Sequence, residues 1–366
     1  MLIVDTLHDM IVHDWAGKLR AAFLLVIALS VVSCGPSTQS DQAARSGPLA
    51  DISWQLLRSA KGPARMAASI ADDPMNGGVL LFGGFGHQLG VGVIPMGGTW
   101  ILHGAKWKLT HPSIAPPARA GGAMAYDAAT HAEVLFGGVA GFGKADYGDT
   151  WIWNGSTWTQ EHPPTSPSPR TAALMAYDGA TKTVVLFGGH PGFAPSGPGL
   201  DDTWIWNGSN WKEALPAARP TTAGSSAMAY DGTTRNLVLF SGRSLAARYG
   251  DTWTWNGTTW TELHPRVSPP SRLANGQLAY LAPRKVIVLF SGKEILGKEV
   301  SFRKTNVRDD TWTWNGTTWT ELHPPVSPPG RTLGMLAFDS VGQRAVLVGG
   351  QNNLQAEGIT ATWTIR

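Results

Sequence analysis

Arg65, Arg119, Arg170, Arg272 and Arg331 recur at spacings of about fifty residues, with one doubled gap between Arg170 and Arg272, where Arg219 is displaced by an insertion. Four of them, Arg65, Arg119, Arg170 and Arg331, stand eight residues before an aspartate (Asp73, Asp127, Asp178 and Asp339). A guanidinium group is planar, permanently charged and able to grip an oxyanion with two parallel hydrogen bonds. A ring of such groups at the mouth of a channel would suit a carboxylate, a sulfate or an acidic sugar. A feature repeated in nearly every unit also has a structural reading, in which each arginine bonds neighbouring carbonyls or an aspartate. Both readings stay open at this point. A second set of candidates sits in segments that do not repeat: Tyr147, Phe193, Arg243, Arg248, Tyr249, Arg303, Lys304 and Arg308. His111, His162, His264 and His323 each precede proline at matching positions. Metal ligands would have to converge, so no metal or other cofactor is assigned.

These residues are carried by a strongly periodic chain. The block GDTWIWNGSTWTQ from Gly148 returns as DDTWIWNGSNWKE from Asp201, GDTWTWNGTTWTE from Gly250 and DDTWTWNGTTWTE from Asp309. Weaker copies lie at Gly97 and at the C-terminus, so the lead tryptophans are Trp100, Trp151, Trp204, Trp253, Trp312 and Trp363. An apolar block ending in LFGG or a relative precedes each copy. In the unit 123–159, AMAYD and HAEVLFGG are short apolar strands separated by the turn Ala128-Ala129-Thr130. DTWIWNG alternates like a third strand, Asn154-Gly155 opens a hairpin turn, and Trp158 begins a fourth strand. Four short strands per unit without helical period predict an all-β, six-bladed propeller. The hairpin turn also accounts for Asn154, Asn207, Asn256 and Asn315. Local backbone bonding is the expected role of Asp149, Asp202, Asp251 and Asp310. The tryptophans read as inter-blade core.

With paired glycines after an apolar strand and two spaced tryptophans in the third and fourth strands, the unit resembles a kelch repeat of the galactose oxidase-like propellers. The resemblance covers Asp51 to Arg366. It departs at Ser241-Gly242 and Ser291-Gly292, which replace paired glycines, and at Leu102 and His103. The last unit stops after its third strand, while an orphan strand, Ile52–Leu56, precedes the first. Pairing of this strand with Thr362–Ile365 would close the ring and remove two free edges.

The resemblance implies either a binding protein or an enzyme such as a sugar oxidase or a sialic-acid epimerase. The oxidase type needs copper and a cysteine–tyrosine crosslink, and the chain holds one cysteine, Cys34. The predicted inner strands are mostly small and apolar, and the loop acids Glu294, Glu299 and Glu357 have no evident acid–base partner. Binding is therefore favoured over catalysis, with a carbohydrate-active enzyme as the alternative. The turns predicted on one face are uniform, whereas the loops on the other are long and dissimilar, which marks the second face as the binding surface.

Residues 21–33 form an apolar run after Lys18 and Arg20, too short to span a bilayer comfortably, and Val31-Val32-Ser33-Cys34 resembles a bacterial lipobox. The expected organisation is a signal peptide over 1–33, lipidated Cys34 with a flexible tether over 34–50, and the propeller over 51–366. Initiation at Met10 would leave a shorter basic leader. The net charge of +3 comes without a basic run, which argues against nucleic acid. The expectation is a monomer in the bacterial envelope, membrane-held by lipid, outside the cytoplasm, with a protein or glycan ligand.

Overall fold

The computed structural model describes residues 49, 51–192, 199–220, 226–244, 247–270, 277–295, 305–352 and 359–366. Six four-stranded antiparallel sheets form the six blades. Blade 1 comprises Ser69–Asp73, Gly78–Phe82, Thr99–His103 and Lys106–Thr110, and blade 2 Ala123–Asp127, Ala132–Phe136, Thr150–Trp153 and Trp158–Glu161. Blade 3 comprises Leu174–Asp178, Thr183–Phe187, Thr203–Trp206 and Trp211–Ala214. Blade 4 comprises Ala227–Asp231, Asn236–Ser244, Ala247–Trp255 and Trp260–Leu263, and blade 5 Gln277–Leu281, Val286–Ile295, Thr305–Trp314 and Trp319–Leu322. Blade 6 takes Thr332–Asp339, Arg344–Gln351 and Ala361–Ile365 from the C-terminal end and Trp54–Lys61 from the other.

Closure follows the strand pairing expected from the sequence, in a register that sets Trp54 opposite Ile365 and Leu56 opposite Trp363. The innermost strands touch in cyclic order, with that of blade 6 meeting that of blade 1. The second strands are buried along their length, as in Gly78–Phe82 and Ala132–Phe136, because sheets face them on both sides. Their near-continuous apolar sequence is the signature of such burial.

A belt of tryptophan–threonine hydrogen bonds runs round the ring. The indole N–H of the fourth-strand tryptophan donates to the third-strand threonine of the preceding blade. The pairs are Trp158–Thr99, Trp211–Thr150, Trp260–Thr203, Trp319–Thr252, Trp54–Thr311 and Trp107–Thr362, all at 2.9–3.0 Å. The last two cross the closure, so blade 6 joins both neighbours by the same device as the other blades. The bond satisfies this buried N–H, whereas the third-strand indoles Trp153, Trp206, Trp255 and Trp314 have no hydrogen-bond partner for theirs among the described residues. The threonine–tryptophan pairing therefore explains why the repeat keeps both Thr before the lead Trp and the second Trp.

The turns behave as their residues dictate. Asn154 Oδ1 accepts the N–H groups of Ser156 and Thr157 at 3.0 Å, and Gly155 takes φ +91°. Asn207, Asn256 and Asn315 repeat the arrangement. The long second-to-third connections of blades 4 and 5 are partly strand. Their strands run on into long hairpins, with Arg243 opposite Arg248 and Glu294 opposite Asn306. Each hairpin follows a break in register after Phe240 or Phe290, where serine replaces the first glycine of the pair. Such a bulge re-aims the strand pair that continues beyond it.

Candidate functional site

The two faces of the ring differ in construction. One carries the first-to-second turns and the Asn-Gly hairpins. The other carries the extended hairpins of blades 4 and 5, the segment 139–148 of blade 2, and a separate hairpin in blade 1, Phe85–Gln88 with Gly92–Pro95. The blade 1 hairpin is braced at its base, where Phe85 stacks on Phe142 at 5.2 Å. Its tip is apolar and open, with Leu89 90% and Val91 63% exposed.

Among the described residues, the recurring arginines Arg119, Arg170 and Arg331 lie at the corners between blades rather than on the open face. Arg119 and Arg170 are each 1% exposed. The backbone carbonyl of Arg119 accepts Gly84 N–H of blade 1, and its side chain donates to Gly137 O of blade 2 at 3.0 Å. Two further bonds, of 2.6 and 2.8 Å, grip the Asp149 carboxylate. Arg170 repeats this one blade on, with Gly138 N–H, Gly188 O and Asp202. The carboxylates also accept the lead indoles, Trp151 Nε1 and Trp204 Nε1, at 2.7 Å. Thus Asp149 and Asp202 do more than bond local backbone as expected: each fills a socket made by an arginine and a tryptophan. Burial alone would raise these two carboxyls, but the arginine bonds override it and hold both below the ordinary value. Arg119 also lies 4.2 Å above the Tyr147 ring, which places that candidate in the same corner.

The other units vary the socket. In blade 5, Asp310 accepts Arg308 Nε and Trp312 Nε1, both at 2.9 Å. Arg331 is fully buried and donates to Gly349 O at 3.1 Å and Pro329 O at 3.2 Å. Its backbone is held by the Ser291 hydroxyl, which accepts Arg331 N–H at 2.7 Å, a bond that the glycine of the other units could not make. Arg65 is half-buried and turns to its neighbour's carbonyl, Ala64 O, at 3.0 Å. The backbone at Arg243, Arg248 and Tyr249 belongs to the blade 4 hairpin. Cys34, Phe193, Arg272, Arg303 and Lys304 lie outside the described residues. His111, His162, His264 and His323 are exposed on separate blades, and among the described residues no cluster of three or more His, Cys, Asp or Glu is placed to hold a metal.

Solved structures share this fold. One of them, "Structure of YjhT", superposes with a TM-score of 0.59 at 14% identity, over 84% of this chain and 99% of that one. At that identity the likeness shows the propeller fold alone. No family model and no curated protein matches the chain.

The sequence reading missed an acidic cluster on the tight-turn side. Glu133 faces Trp153 in register, where the other blades place Val79, Val184, Leu237, Ile287 and Ala345. That lone acid in an apolar register was the available signal. Glu133 is fully buried against Asp73, which in turn receives Asn76. Burial first, then the charge of Asp73, pushes the Glu133 carboxyl up to about 10. A raised carboxyl contributes its full stability below its ordinary value of 4.5 and loses it as pH rises toward about 10. Glu133→Val should therefore stabilise the protein by up to ~3 kcal/mol near neutral pH, with a gain that grows between pH 5 and 9. Thermal melts of both proteins across that range check this; a pH-independent difference would show that Glu133 is not held protonated by the fold.

Proposed function

We propose that the chain is a kelch-type propeller of the bacterial envelope, anchored through lipid on Cys34, that binds a protein or glycan ligand on its long-loop face without turning it over. The observation carrying this is the contrast between faces: short, repeated Asx-stabilised turns on one, and the apolar blade 1 tip with the two extended hairpins on the other. Arg119 and Arg170 have their side-chain donors committed to Asp149 and Asp202, so the proposed ligand role passes to the candidates Tyr147, Phe193, Arg243, Arg248, Tyr249, Arg303 and Lys304 together with the exposed Leu89 and Val91.

The direction of the chain supports an outward-facing site. Trp54 pairs with Ile365, at the end of a strand that runs toward the tight-turn face. Leu49 and Ile52 pack beside it. The described chain therefore enters the ring on the tight-turn side, and in this reading a tether to Cys34 would leave the long-loop face pointing away from the membrane.

Two experiments test this. Cys34→Ser should abolish lipid labelling and move the protein out of the membrane fraction; unchanged membrane association would instead make residues 1–33 a retained anchor. Acidic glycans and cell-wall fragments should be screened for binding and for turnover together. With an anionic ligand, Arg303→Glu should weaken binding and flatten its salt dependence, because salt screens exposed charge. Arg308 is the poorer choice for reversal, since its guanidinium already serves Asp310. Epimerase or hydrolase turnover would replace the binding reading with the enzyme.

A further inference from the structure

The arginine–tryptophan sockets of blades 2 and 3 are filled by Asp149 and Asp202, each standing two residues before its lead tryptophan. In blade 6 the lead tryptophan is Trp363, and the residue two positions before it is Ala361. The two donors remain while the acceptor is deleted. Arg331 Nη2 and Trp363 Nε1 are both buried without a hydrogen-bond partner among the described residues. Arg331 keeps the same backbone anchor as its counterparts, from its guanidinium to the Gly349 carbonyl. Its fork is thus oriented as in the filled sockets.

Leaving such donors empty is costly. A buried, unpaired cation and a buried, unpaired indole N–H each forfeit hydration without replacement. Burial accordingly lowers Arg331 to about 10, whereas no carboxylate stands beside it to offset that effect. The acceptor's position is not sealed. Asp149 and Asp202 are 17% and 18% exposed in their side chains. Ala361 itself is partly exposed, so solvent reaches the same place in blade 6.

We propose that the blade 6 socket is a carboxylate-binding site, in which the carboxylate of an external molecule takes the position of the missing aspartate between Arg331 and Trp363. Blade 1 does not offer an equivalent. Gly98 replaces its aspartate and leaves Trp100 Nε1 unpaired, but Arg65 points its guanidinium to Ala64 O instead of holding the fork. The site is independent of ligand binding on the long-loop face, and its test reads stability.

Sodium formate is the probe. It is titrated into the purified full chain at ionic strength held constant with a bulky sulfonate salt, while the melting midpoint is followed. Formate should raise the midpoint of the wild-type protein to a plateau. Ala361→Asp, which rebuilds the blade 2 socket, should melt ~2–6 °C higher without formate and show no further rise with it. Ala361→Asn places an amide oxygen against the same donors and should also lose the formate response, which covers the case in which the aspartate variant folds poorly. Trp363→Phe deletes only the indole donor and should demand about tenfold more formate for half the effect. Pivalate in place of formate separates the sources: a response means that the slot admits a carboxylate carried on a larger body, and silence restricts it to small free acids. No formate response in the wild-type protein, or an equal response in wild type, Ala361→Asp and Ala361→Asn, overturns the proposal.

Discussion

Asp202→Ala lowers the stability of the propeller by about 3–5 kcal/mol, because it strands a buried guanidinium without its counter-charge. Arg170 is 1% exposed and gives Asp202 two of its strongest bonds, at 2.6 and 2.8 Å. The same carboxylate holds Trp204 Nε1, so its removal frees a second buried donor. The double variant Arg170→Met with Asp202→Leu should recover much of that loss, since an apolar pair of similar volume removes charge and counter-charge together. Urea unfolding of the three proteins measures both effects. If Asp202→Ala costs under ~1 kcal/mol, as for an exposed ion pair, Arg170 is not a staple between blades.

Trp54→Ala should cost a similar amount, about 3–5 kcal/mol, as expected for truncating a buried aromatic side chain. Trp54 is 4% exposed, donates to Thr311 at 2.9 Å and stands 4.8 Å from the Phe290 ring. The hydrogen bond and the ring contact place it against blade 5, although its strand completes blade 6. The loss should appear first as opening of the closure. Hydrogen exchange should accelerate in Ala361–Ile365 and Trp54–Lys61 before it does in blade 3. Uniform acceleration round the ring would mean that closure is not the weak point.

The fold was legible because propeller blades repeat their solution to the same problem. Each Trp158-type indole meets the same threonine, and each Asn154-type turn meets the same backbone, so identical residues recur at identical spacing. The orphan strand with Trp54 completed a unit that lacked only a fourth strand. The site was less legible, because its information lies in relations between blades. Arg119 and Asp149 are thirty residues apart and belong to one socket, whereas the aspartate eight residues downstream, Asp127, serves the turn at Ala129. Sequence spacing suggested the nearer acid; folding selected the one across the sheet. Glu133 escaped notice for a related reason, since its partner Asp73 comes from the preceding blade. The extended hairpins of blades 4 and 5 were not legible, because residues such as RSLAARYG lack the alternation of a half-buried strand.

The central claim is that the long-loop face binds and the tight-turn face does not. It is tested most directly by measuring one ligand from the glycan and peptide screen against matched variants of the two faces. Leu89→Ser with Val91→Ser, and separately Arg303→Glu, alter the long-loop face, while Thr130→Ala and Thr181→Ala alter the opposite turns. The account predicts that long-loop changes weaken binding by about tenfold or more, equivalent to ~1.4 kcal/mol, and that the turn variants bind as the unaltered protein does. Affinity that falls only with the turn variants, or a ligand that is chemically converted, would contradict it.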